Sequence, residues 1–285
     1  MSELYINNRA ATYIYGVQIE TPPRIVSAVR KASVIDIPGG SQPLVRDLGG
    51  AEMIQRVYDV FIDPSRAILS LSGAEYQTRQ FLCMLLSESV TDAGFFKLSD
   101  SYIRDISDYN YFFKARFAGG AEFENVFSRR SRGQLIFDCV PRMYIDSKST
   151  DPEYETVLES VGTQLVTEEM PSVSPLGMRI GRGDPLITIY FSSNVNYLTL
   201  TVDGFEMLIN LHKHGDESER LYIDCELKNC WYETYGQKIN GNADVTFNTD
   251  YKFPTLTSFR PIITAQTTSG TVNEIAVRGR WYVVI

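Results

Sequence analysis

The chain has 285 residues, of which 44% are apolar, 22% charged and 12% aromatic, with 20 Gly and 12 Pro. That is ordinary globular usage, and it excludes collagen-like and low-complexity disordered classes. A single core stops growing at roughly 250–300 residues, so the length predicts two domains. The longest apolar run, Phe81-Leu82-Cys83-Met84-Leu85-Leu86, is too short to span a bilayer. The opening Met1-Ser2-Glu3-Leu4-Tyr5 has no basic-then-apolar secretion signal. The expectation is a soluble protein made in the cytoplasm, without membrane contact.

The formal charge of −8 is unevenly placed. Residues 1–148 hold 17 basic and 17 acidic side chains, whereas 149–170 hold Asp151, Glu153, Glu155, Glu159, Glu168 and Glu169 with no Lys or Arg. Residues 171–285 hold 10 basic and 12 acidic side chains. No block has the basic face needed to neutralise several phosphates, which argues against nucleic acid as a partner.

In chain order, the pattern is one of short strands. Tyr5-Ile6-Asn7, Ile14 to Ile19 and Val26 to Ile37 read as strands, followed by the turn signal Pro38-Gly39-Gly40-Ser41-Gln42-Pro43. Ile35 to Gly50 is therefore expected to form a hairpin arm. Met53 to Ile62 alternates from Arg56 onward. Ala74 to Glu88 differs, because Ala74, Phe81, Leu82, Leu85 and Leu86 recur at helical spacing without Gly or Pro. Strands resume at Phe95–Leu98, Tyr111–Phe117 and Gln134–Val140. The segment 149–170 reads as an exposed acidic connector, since six carboxylates without a cation repel one another and are costly to bury unpaired. Beyond Pro171, short strands return at Met178–Ile180, Leu186–Phe191, Tyr197–Val202, Glu206–Leu211, Leu221–Asp224, Asp244–Phe247, Pro261–Thr264 and Glu274–Val284. Asp203-Gly204 between two of them is a two-residue hairpin signal, and the even spacing predicts a β-sandwich. The domains are thus expected at 1–148 and 171–285, joined by 149–170.

The four cysteines form no CxxC pair. Cys83 and Cys139 sit in apolar contexts, and Cys225 and Cys230 fall on opposite faces of a continuous strand, so all four are expected as free thiols unless a turn or bulge intervenes.

Catalytic groups are sparse. His212 and His214 would share one strand face and could share a metal, but no third ligand has matching spacing, so a solvated hairpin end is the plainer reading. Nucleophile-elbow, zinc-protease and phosphate-loop motifs are all missing. No enzyme, metal or cofactor is expected. Gly181-Arg182-Gly183-Asp184-Pro185 contains an integrin-type tripeptide, yet its residues make a good turn. Arg129, Arg130 and Arg132 form a tight basic cluster, read either as a solvated loop or as guanidiniums meeting carboxylates of a neighbouring subunit.

Two stretches are more specific in their order. Phe95-Phe96-Lys97-Leu98-Ser99-Asp100-Ser101 precedes Tyr109–Gly119 and Leu135-Ile136-Phe137-Asp138-Cys139-Val140-Pro141. In the second block, Met178–Asp184 precedes Leu198–Gly204, Leu221–Leu227, Phe253-Pro254-Thr255-Leu256 and the terminal Arg278-Gly279-Arg280-Trp281-Tyr282. This succession resembles the distal tail proteins of long-tailed phages over nearly the whole chain. Thr257-Ser258 stands where that family usually has a Pro-Gly turn, and the acidic segment is longer than the plain form.

The resemblance implies a mainly β fold, with a β-sandwich-like N-terminal domain carrying one helix and a hairpin arm, and a galectin-like C-terminal β-sandwich. It implies a homohexameric ring in the virion tail tip, between the tail tube and a tail-associated fibre or lysin protein, in some phages with receptor-binding proteins. Pro38, Gly39 and Gly40 of the arm, with Arg129, Arg130 and Arg132, are the candidate subunit contacts. The alternative is a carbohydrate-binding module for host-surface glycans. In that case Trp231 is the stacking candidate, because Trp281 reads as part of a final strand.

Overall fold

The computed structural model describes residues 2–35, 44–68, 73–88, 94–104, 110–126, 130–146, 155–171, 182–191, 195–211, 219–248, 252–258 and 260–284. They divide into two compact units, residues 1–146 with 284–285, and residues 147–283. The chain is mainly β.

The first unit contains β1 (Leu4–Ile6), β2 (Arg9–Ala10), α1 (Ala11–Tyr15), β3 (Val17–Ile19), β4 (Arg30–Ile35), β5 (Leu44–Ala51), β6 (Ile54–Ile62), a 3-10 turn at Pro64–Arg66, α2 (Ala74–Glu88), β7 (Phe96–Asp100), β8 (Asn110–Phe117), β9 (Phe123–Val126) and β10 (Arg130–Asp146). Antiparallel pairing runs β3–β6–β10–β8–β7–β1, and β9 pairs with the start of β10. A bridge between Ser2 and Ile19 joins the first strand back to β3, so the sheet closes on itself. Alternation along β6 sends Ile54, Arg56, Tyr58, Val60 and Ile62 inward. Phe137 sits fully buried within 6 Å of the rings of Tyr58, Phe96 and Phe117.

The helix expected from Ala74 to Glu88 forms over those residues and buries Ala74, Gln77, Thr78, Phe81 and Leu85. Ile14–Ile19 is not one strand. Ala11–Tyr15 makes a short helix, which Gly16 ends in the left-handed region at φ 73°. A Cβ at Gly16 would collide with the Asp63 carbonyl oxygen, so the backbone comes too close there for any side chain.

β4 and β5 pair in antiparallel register from Ile35↔Leu44 to Arg30↔Ala51, forming a two-stranded ribbon that pairs with no other described strand. The turn joining them, with Pro38, Gly39 and Gly40, lies outside the described residues.

The second unit contains β11 (Glu155–Val161), β12 (Val166–Glu169), β13 (Arg182–Gly183), β14 (Leu186–Tyr190), β15 (Tyr197–Val202), β16 (Phe205–Asn210), β17 (Arg220–Asp224), β18 (Asn229–Thr234), β19 (Gln237–Asn240), β20 (Val245–Phe247), β21 (Ile262–Thr267), β22 (Val272–Arg278) and β23 (Trp281–Val284). Eleven of them make a six-stranded antiparallel sheet, β11–β22–β14–β17–β18–β19, and a five-stranded one, β12–β21–β15–β16–β20, while β13 and β23 pair with each other. Each sheet keeps one face buried. Ile187, Ile189, Leu221 and Ile223 do so in the first, and Leu198, Leu200, Val202, Met207 and Ile209 in the second. Two sheets with one apolar face each form a sandwich.

The reading of 149–170 as an exposed connector is corrected. Glu155–Val161 pairs with β22 and Val166–Glu169 with β21, so this segment adds a strand to each sheet. Leu158, Val161 and Met170 are buried, while Glu159, Glu168 and Glu169 point to water. Alternation lets one strand place its carboxylates outside and its apolar side chains inside, which an argument from net charge alone overlooks. Glu155 and Glu169 also find cations, at Arg278 (3.6 Å) and Arg260 (3.3 Å).

The expected strand Glu274–Val284 breaks at Gly279-Arg280, where Arg280 takes φ 43°. Asp203-Gly204 turns β15 into β16 as expected, at φ 49° and 83°. The Asp203 carboxylate also accepts the N–H groups of Thr257 (2.6 Å) and Ser258 (3.0 Å). That contact holds the chain where the Pro-Gly turn is missing.

Candidate functional site

Two polar clusters hold the scaffold, one in each unit. In the first, Arg56 Nη2 donates to Asp100 Oδ2 at 2.8 Å, and its Nε donates to the Tyr58 hydroxyl at 2.9 Å. That hydroxyl donates in turn to Asp100 Oδ2 at 2.7 Å. Asp100 Oδ1 accepts the backbone N–H groups of Tyr102 and Ile103, and the Arg56 guanidinium lies 4.7 Å from the Phe113 ring centroid. Burial, followed by the Asp100 charge, pushes the Tyr58 phenol well above its ordinary pKa. Every charge here has a partner, which is the condition for burying it. Nothing in the cluster opens to solvent as a reacting site would.

In the second unit, the Arg280 guanidinium grips Asp224 through two hydrogen bonds (2.6 and 3.0 Å), and its Nε and Nη2 donate to the carbonyls of Asp184 (2.8 Å) and Pro185 (3.2 Å). Burial opposes ionisation of Asp224, but the Arg280 bonds and the Leu227 and Glu226 N–H groups hold its pKa below the ordinary value. Sequence reading missed both clusters, because their members lie 44 and 56 positions apart.

The candidate contact residues separate. Arg130 Nε donates to Asp63 at 3.0 Å and Arg132 Nε to Glu20 at 2.7 Å, although 58% and 63% of their side chains stay exposed. Asp63 is buried and also accepts from Ser65. Burial raises its pKa, and the Ser65 and Arg130 bonds overcome that and lower it. These two arginines therefore brace their own chain at the base of β10 while keeping an outer face. Arg129, His212 and His214 lie outside the described residues. Among the described residues, no group of His, Cys, Asp and Glu could hold a metal, and no helix is long and apolar enough to cross a membrane. Within the integrin-type tripeptide, Arg182 and Gly183 form β13 and Asp184 is buried.

Trp231 is half-buried on the outward face of the six-stranded sheet. The Tyr222 ring, on β17, stacks with it at 5.3 Å and 12°. Lys238, on β19 to the other side, places Nζ 5.2 Å from the indole. The Trp231 indole N–H is buried without a partner among the described residues. An open groove of about 390 Å³ runs beside it, lined by Leu227, Asn229, Cys230, Trp231, Lys238, Ile239 and Asn240. A sugar stacking on this indole would have to compete with Tyr222 and Lys238 for its faces.

No protein-family model and no curated relative matches the sequence. Solved structures do. The Dit protein of phage SPP1, a paradigm of the hub adsorption apparatus in phages infecting Gram-positive bacteria, aligns over 99% of this chain and 100% of its own, at 13% identity and a TM-score of 0.53. A chain of the phage p2 baseplate, in its activated conformation with calcium, aligns over 93% of this chain and 98% of its own, at 7% identity and a TM-score of 0.44. The strontium form gives 97% and 98%, 8% identity and 0.46. With both units matched end to end, this chain has the mainly β fold of the SPP1 Dit hub protein.

Proposed function

We propose that the chain is a structural hub of a phage tail tip, a homohexameric ring that joins the tail tube to a tail-associated fibre or lysin protein and carries receptor-binding proteins where these exist. The observation that carries this reading is the alignment with SPP1 Dit along the full length of both chains. The isolated β4–β5 ribbon supports it. A two-stranded ribbon is marginal in water by itself, and a neighbouring subunit is the natural surface for it to rest on. A ring needs such heterologous contacts, one patch meeting a different patch on the next copy.

On this reading the first unit builds the ring, with the arm turn and the outer faces of Arg130 and Arg132 at its seams. The second unit is a galectin-like sandwich facing outward, and the protein has no catalytic role or cofactor. Negative-stain imaging of purified protein tests it. Six-fold rings, with a solution mass six times that of the 32.2 kDa chain, are expected. A monomer at micromolar concentration refutes it.

A further inference from the structure

β19 is the last strand of the six-stranded sheet among the described residues, and all four of its residues are exposed. The Gly241 N–H donates to the Cys230 carbonyl at 2.9 Å, which sets the parity of the ladder. Gln237, Ile239 and Gly241 turn their backbone groups toward β18, and Lys238 and Asn240 turn theirs outward. An edge with free backbone groups is a template for one more strand.

The groove beside this edge indicates what kind of strand it would take. Its polar side chains offer donors. Asn242 donates its Nδ2 to Asn229 Oδ1 at 2.8 Å and its backbone N–H to Asn240 Oδ1 at 3.0 Å, which leaves both lining amides with their NH₂ groups to give. The Lys238 ammonium has only the Trp231 ring as a partner among the described residues, although Glu233 lies opposite it in the ladder. Among the described residues no carboxylate lines the groove, while the exposed apolar side chains of Leu227 and Ile239 do.

The tip of the β18–β19 hairpin adds an independent sign. Its two turn residues, Tyr235 and Gly236, take φ 48° and 78°. The corresponding turns elsewhere use Asn7-Asn8 and Asp203-Gly204, residues that tolerate left-handed backbone. Tyr235 breaks that rule while 85% exposed, so it gains little packing inside the chain in return. An aromatic side chain held out at such a position suits a contact outside it.

We propose that the β19 edge docks an extended acidic segment of a partner protein as an added strand. Its carboxylates meet Lys238 and the Asn229 and Asn240 amides, its apolar side chains rest on Leu227 and Ile239, and Tyr235 contacts its end. Every residue involved belongs to the second unit, and the docking does not rest on the hub reading.

The test titrates the full chain with a blocked decapeptide of alternating Glu and Val, and with a matched Lys–Val decapeptide, while following tryptophan emission. Trp281 is buried at 2% exposure, so Trp231 supplies the response. The acidic peptide is expected to saturate with a Kd below about 1 mM, and the basic one not to bind. Lys238→Gln should weaken binding about fivefold. Lys238→Pro removes an outward N–H without breaking the β18 ladder and should abolish binding. Tyr235→Gly should weaken binding while leaving thermal stability equal or higher, because glycine suits this turn. Equal binding of both peptides, no saturation by about 1 mM, or undiminished binding by Lys238→Pro overturns the proposal. A dimer lost in Lys238→Pro, with no peptide uptake, overturns it in favour of a second copy of this chain.

Discussion

Arg56 and Asp100 meet at 2.8 Å although their strands, β6 and β7, lie three steps apart in either direction around the closed sheet. The pair therefore spans the interior rather than bridging neighbours, and both side chains are almost fully withdrawn from water. Losing one partner strands the other charge. Asp100→Ala is expected to cost about 3–5 kcal/mol, whereas replacing Arg56 and Asp100 together by Met and Leu should cost far less. Urea midpoints of the three proteins check this. A double variant as unstable as the single one would show that the pair itself contributes the stability.

Acid should loosen the second unit through Asp224. Its pKa is depressed in the folded chain, so its contribution is complete above the unfolded value of about 3.9 and is lost as pH falls through the folded value. The stability gap between the parent and Asp224→Asn is expected to be wide at pH 6 and to close toward pH 3. A gap that stays constant over that range would mean that Asp224 acts through shape alone.

The thiols should titrate in two classes. Burial pushes Cys139 and Cys230 up to about 12 and raises Cys225 well above its usual value, while Cys83 is exposed on α2. Thiolate is the reactive form. One thiol per native chain is expected to react quickly with Ellman's reagent at pH 8, and all four after denaturation. Fast reaction of two or more native thiols would contradict the burial pattern.

Charge reversal of Arg130 and Arg132 separates bracing from assembly. Arg132 makes a largely exposed ion pair with Glu20, so Arg132→Glu should lower stability by only about 1 kcal/mol. Arg130→Glu sets a like charge against the buried Asp63 and should cost more. If the outer faces of these side chains meet a neighbour, sedimentation velocity should show smaller species at unchanged folding. Assembly equal to that of the parent removes them from the contact.

Local pattern carried much of the fold. The helix at Ala74–Glu88, the Asp203-Gly204 hairpin and the strand at β6 each follow from residues close in sequence. What escaped depends on distant partners. Glu155–Val161 looked like a charged tether because Ile275, Ala276 and Val277, more than a hundred residues on, decide that it is a strand. Ile14 and Tyr15 looked like the start of a strand because the five residues of Ala11–Tyr15 are too few to show a helical period, and Gly16 is fixed by Asp63. The β19 groove was half legible. Trp231 stood out by composition, but the donor-only lining appears only once Asn242 is seen to occupy the acceptor ends of Asn229 and Asn240.

The order of synthesis is unlike the order of the first sheet. β10, flanked by β6 on one side and β8 on the other, is the last strand of its unit to be made. From the completion of β6 at Ile62 to that of β10 at Asp146, a ribosome adding roughly 5–20 residues per second needs about 4–17 s. For that interval β6 waits with its β10-facing edge bare, and once Phe117 is made β8 waits beside it with another, each open to any passing strand. The unit is therefore most exposed to mispairing before it leaves the ribosome. Slowing translation between residues 62 and 146 should lower the soluble yield more than slowing it anywhere in the second unit.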